Sequence, residues 1–117
     1  METLAAILIG FIAVEHVGFM VLEMFFWTHR VGRKIFQQSK EAAESSRLLA
    51  ANQGLYNGFL AAGLVWGLLG NDWSVKFFFT ACVLIAGIYG GITVKRSILA
   101  VQALPALLAL LLLLAAR

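Results

Sequence analysis

The chain has 117 residues, of which 62% are hydrophobic and 13% charged, with a formal net charge of +3. Soluble domains run at about 45–50% apolar and about 25% charged residues. This composition, with a mean hydropathy of +0.90, excludes a soluble globular fold, a disordered chain and a disulfide scaffold, and leaves one small integral membrane domain.

A membrane-crossing helix needs about 20 mainly apolar residues. Four stretches meet that requirement: 4–28, 48–69, 74–94 and 98–116. Ahead of the first, Met1-Glu2-Thr3 lacks the basic start of a signal peptide, and the apolar run is too long for a signal core. This helix is therefore expected to remain as an anchor. The polar segment 29–47 follows. Gly32 is placed to end the first helix. Ser39 is placed to cap the second, with Glu41 in its first turn, so that helix is expected to start near Lys40. Gly54 and Gly58, Gly63 and Gly67, and Gly87 and Gly91 form three pairs at the spacing that lets helices approach closely. Pro105 in the fourth stretch reads as a static kink. The Leu and Ala tail, 106–116, is expected to face lipid or a partner helix. Cys82 lies alone in an apolar run, has no intrachain disulfide partner, and reads as a small packing residue. The apolar runs are continuous rather than alternating, which argues against a barrel. The expected architecture is an all-α four-transmembrane-helix bundle, with residues 1–117 as a single domain.

Orientation follows from the basic residues. Arg30, Arg33, Lys34, Lys40 and Arg47 fall in the first loop, and Lys95 and Arg96 in the third. Only Lys76 and Arg117 fall on the other side. Seven against two places the 29–47 loop in the cytoplasm and both termini outside. The net positive charge is thus read as a topology signal, with no nucleic-acid partner. Arg30, Arg33 and Lys34 are also within reach of anionic lipid headgroups. Trp27 and Trp73 fall near opposite interfaces.

Ionisable residues inside a membrane helix are costly, so each is a functional hypothesis. Glu15, His16 and Glu23 lie in the first helix. At about 100° per residue all three fit one arc. The second helix adds Asn52, Gln53, Tyr56 and Asn57 over an arc of about 140°, with Gly54 and Gly58 nearly opposite. This pattern predicts a helix with its polar face toward one neighbour and its small face toward another. At about 1.5 Å per residue, Glu23, Asn52, Gln53, Tyr89 and Gln102 come out about 6–8 Å from the cytoplasmic side. Glu15 and His16 come out near the midplane, at about 18–20 Å. The polar groups are therefore expected to form a cavity open to the cytoplasm and narrowing at Glu15. Beyond it, little but Thr80 is polar.

Glu15-His16, then Glu23-Met24-Phe25-Phe26-Trp27, then Asn52-Gln53-Gly54-Leu55-Tyr56-Asn57-Gly58-Phe59-Leu60-Ala61 resemble the bacterial membrane family called domain of unknown function 1304. The resemblance runs over essentially the whole chain. It implies a small four-helix protein of the bacterial inner membrane and brings no assigned activity. It also implies that the two polar stretches form the family's shared site.

Three functional readings follow. The first is a small carrier or solute-binding protein. A carboxyl group away from water exchanges a proton for a substrate readily. Glu15 would couple to the proton, His16 and Glu23 would relay it or bind, and Asn52, Gln53, Tyr56, Asn57 and Tyr89 would hold the solute. The second is a membrane enzyme using the same carboxyl groups as acid and base on a lipophilic substrate. The third is a structural or accessory protein locked by the same polar contacts. The identity of any cofactor is left open by the sequence. A metal site is not expected, because residues 15 and 16 point about 100° apart and Glu23 lies about 10 Å further along the axis. Expected partners are membrane lipids, a small-molecule ligand and, because four short helices enclose little volume, further copies of the chain.

Overall fold

The computed structural model describes residues 1–117, and all of its regular structure is helical. Helix α1 runs Glu2–Phe25, α2 Arg30–Ile35, α3 Lys40–Ser45, α4 Arg47–Leu69 and α5 Trp73–Thr93. A π-helical turn, Leu99–Ala103, leads into α6, Leu104–Ala116. Three stretches are long and apolar enough to cross a membrane: Glu2–Phe25, Trp73–Thr93 and Leu99–Ala116. The second expected span, α4, has the length, at 23 residues. Arg47, Asn52, Gln53, Asn57 and four glycines leave it less apolar than the other three.

The loop after α1 differs from expectation in two places. Gly32 does not end the first helix, which stops at Phe25; it lies inside α2. A Cβ on Gly32 would sit 2.7 Å from the Phe26 carbonyl carbon and 3.3 Å from the Trp27 Cα. Its role is therefore close backbone approach. Ser39 does cap a helix that starts at Lys40, its hydroxyl accepting from the Ala42 N–H at 3.1 Å. That helix is only α3, however, and it closes at Ser46 before α4 begins. The Ser46 hydroxyl donates to the Ala42 carbonyl at 2.7 Å and accepts from Trp27 Nε1 at 3.0 Å. A hydroxyl that serves both its own turn and a distant indole competes with helix continuation. His29 caps α2 by accepting from the Val31 N–H at 3.1 Å. Gln37 then takes φ 53°, a left-handed conformation that turns the chain toward Ser39.

Backbone contacts divide the chain into two compact units. The first holds residues 1–14 and 60–117. Its core is Ala5, Ile9, Ile12, Leu64, Val83, Ala106, Ala109 and Leu113. α5 packs on the π-helical turn and on α6. Gly87 makes that possible: a Cβ there would lie 2.8 Å from the Ala103 nitrogen. Gln102 Nε2 donates to the Val83 carbonyl at 3.1 Å, so this polar side chain is spent on a backbone acceptor. Pro105 falls in the first turn of α6, just after the π-helical turn. Proline has no N–H for the carbonyl four residues back, and the wider π turn ahead of it accommodates that loss. Trp73 Nε1 donates to the Leu113 carbonyl at 3.0 Å. The same ring stacks on Phe77 at 4.9 Å and carries the Arg117 guanidinium 4.0 Å from its centre.

The second unit is residues 15–59. It comprises the C-terminal part of α1, the whole of α2 and α3, and the N-terminal part of α4. Trp27 organises its loop, contacting Phe36 at 4.8 Å between ring centres as well as Ser46.

Candidate functional site

The second unit contains most of the polar residues singled out by the sequence. Its central contact is a hydrogen bond from Asn57 Nδ2 on α4 to Glu23 Oε1 on α1. Glycines set this approach. A Cβ on Gly54 would lie 2.8 Å from Met24 Cγ and 3.0 Å from Glu23 Cβ. One on Gly58 would lie 2.7 Å from Met20 Sδ. The small face of α4 therefore meets α1, the helix that carries the carboxyl groups. Asn57 stands about 60° round α4 from Gly54, on the border of that face, and so reaches Glu23. The sequence pattern predicts different neighbours for the small and polar faces, whereas Asn57 and the glycines meet the same helix.

The rest of the α4 polar arc is turned elsewhere. Asn52 and Gln53 are exposed. Tyr56 is 54% exposed, with its ring against Phe59 at 5.8 Å. On α1, His16 is fully buried and packs edge-on against Phe19 at 5.2 Å. Glu15 is half-buried, and its Oε1 is shielded from solvent without a hydrogen-bond partner. Glu15 and Glu23 are eight steps apart on continuous helix, about 12 Å of rise. The two carboxyl groups are therefore separate stations along one helix, too far apart to bond to each other directly. No group of three or more His, Cys, Asp and Glu side chains is placed to hold a metal ion. Tyr89, in the first unit, is 70% exposed.

Two buried polar residues of the first unit are not among the site candidates read from the sequence. Lys76 was read only as a topology charge, yet it is 9% exposed. Its stem covers Gly67, and its Nζ donates to Asn71 Oδ1 at 2.9 Å. Thr80 is fully buried, and its hydroxyl donates to the Lys76 carbonyl at 2.6 Å. No sequence signal pairs Gly67 with Lys76; the structure shows that the glycine leaves room for the lysine stem. An apolar concavity of about 480 Å³ also lies in this unit, lined by Leu4, Ile7, Leu8, Phe11 and Leu112. None of the polar candidates lines it.

These features define an all-helical membrane protein with a carboxyl–amide contact between two of its long helices. Its chain belongs to the family described as "Protein of unknown function (DUF1304)", whose model matches residues 10–114. It is also similar to "Uncharacterized protein YpaA" of Lactococcus lactis subsp. lactis (strain IL1403). The two are 29% identical over 115 residues, covering 95% of this chain and 97% of the relative. That likeness supports a bacterial origin. No solved structure matches the chain.

Proposed function

We propose that the chain is a four-span protein of the bacterial inner membrane that binds a small polar solute and carries it with proton coupling. The observation that carries this reading is the Glu23–Asn57 bond on a mainly apolar helix, with Glu15 further along the same helix. Holding a carboxyl group at such depth costs far more than a typical interhelical contact returns, about 0.6 kcal/mol. A group retained at that cost is best explained by what it does. In this reading Glu23 and Asn57 form the solute-binding station, and Glu15, with one unpartnered oxygen, is the proton-coupling group. His16 passes the proton between them.

α4 supplies the fourth span. Asn52, Gln53 and Tyr56 are exposed on it, and bare amides against hydrocarbon are costly. They line the solute path, and a second copy of the chain, packed against the same helix, closes it. The basic 29–47 loop faces the cytoplasm, which puts both termini outside. The test is transport in proteoliposomes loaded with a pH-sensitive dye and challenged with amino acids, organic cations and carboxylates. One class is expected to change the internal pH, and Glu15→Gln is expected to abolish the change. An unaltered response in Glu15→Gln would remove Glu15 from the mechanism.

A further inference from the structure

Helix α2 is not needed by the reading above, and it has its own chemistry. It starts five residues after the end of α1, at the point where an apolar helix long enough to cross a membrane gives way to the loop. Three of its six residues are basic and none is acidic. At about 100° per residue, Arg33, Arg30 and Lys34 fill one arc of about 100°, and Val31 and Ile35 fill the arc beside it. Gly32 takes the remaining side and is buried against the Phe26 backbone. The helix is thus held on its glycine side, with Arg30, Lys34, Val31 and Ile35 exposed and Arg33 half-buried.

The apolar face is open. Val31 is 49% exposed and Ile35 48%. Phe25 and Phe26, at the end of α1, are exposed as well. The basic face has no countercharge: neither Arg30, Arg33 nor Lys34 forms an ion pair within the chain. The Nε of Arg33 is shielded from solvent without a hydrogen-bond partner. That guanidinium has given up water on one edge with no anion in exchange, which favours an anion at its open edge. The segment is tied down by three contacts. His29 caps α2, and Trp27 holds the loop through Ser46 and Phe36.

We propose that α2 is an anionic phospholipid headgroup site, in which Arg30, Arg33 and Lys34 hold the lipid phosphate while Val31, Ile35 and Phe25 enter the acyl layer beside it. Charge complementarity and the apolar skirt on the same short element select a lipid over a free anion, which would need only the basic arc. Each Lys or Arg near an anionic bilayer contributes about fivefold in affinity, so three together contribute roughly 100-fold.

The test is native mass spectrometry of the full chain in detergent titrated with phosphatidylglycerol or phosphatidylcholine. The unmodified protein is expected to retain phosphatidylglycerol with much higher affinity, and to lose that preference as salt rises. The Arg30→Gln/Arg33→Gln/Lys34→Gln variant is expected to lose the preference, while Lys95→Gln/Arg96→Gln in the other basic loop keeps it. Inorganic phosphate competing at millimolar concentration would show a free-anion site and overturn the lipid assignment. Equal retention of the two lipids by the unmodified protein, a measurement independent of any variant's folding, would overturn it as well.

Discussion

Truncating the Glu23–Asn57 pair tests whether this contact couples α1 to α4. The perturbation is a double-mutant cycle of Glu23→Ala, Asn57→Ala and the double variant. Each single change also removes packing, but those losses cancel in the cycle and leave the pair's own coupling. Hydrogen bonds between membrane helices average about 0.6 kcal/mol and reach about 1.7. A bond to a charged group reaches about 1.5–3 kcal/mol. The close approach fixed by Gly54 and Gly58 holds donor and acceptor without a long side-chain search, so the expected coupling is at the upper end of the first range, about 1.5 kcal/mol. That is a little over a tenfold change in the unfolding equilibrium constant. Equilibrium unfolding in mixed maltoside and dodecyl sulfate micelles, followed by circular dichroism, resolves it. A coupling near 3 kcal/mol would mean that Glu23 accepts the bond as a carboxylate. A coupling within about 0.3 kcal/mol of zero, indistinguishable from additivity, would refute the contact as an organising element. Asn57→Ala alone is expected to cost more than the coupling, because it leaves the Glu23 oxygen without its donor.

Glycine positions give a second comparison: Gly87→Ala is expected to destabilise by about 1–3 kcal/mol, because the new Cβ meets Ala103 backbone that cannot rotate away. Gly10→Ala, with nothing within 4 Å of its Cβ, is expected to be neutral or stabilising in the same unfolding assay. In the loop, Gly32→Ala is expected to lift α2 off the Phe26 backbone and speed proteolysis between residues 26 and 39, with helix content otherwise unchanged. Trp73→Phe should keep the ring stack on Phe77 but lose the bond to the Leu113 carbonyl. Its expected cost is about 0.5–1.5 kcal/mol, read as a lower unfolding midpoint.

The class of protein is legible in the composition alone. An apolar composition with few charges has no soluble solution, and continuous apolar runs with helical length leave helices as the only way to satisfy the backbone in lipid. The start of α3 was also legible, because an N-cap is a local bond between Ser39 and a residue three positions on. Glu23 and Asn57 also stand out in the sequence as polar residues of long helices, and the structure joins their side chains. What each polar residue meets depends on how the helices pack. Periodicity gives the direction of a side chain about its own helix but not the neighbour on that side. It therefore could not tell that α4 turns Gly54, Gly58 and Asn57 toward α1 and leaves Asn52, Gln53 and Tyr56 exposed. Nor could it tell that Gly32 makes room for backbone and does not stop a helix, or that Lys76 is buried along Gly67. In each case the deciding contact joins residues that no helical repeat relates. Whether a glycine ends a helix or admits a neighbour depends on what the rest of the chain brings against it.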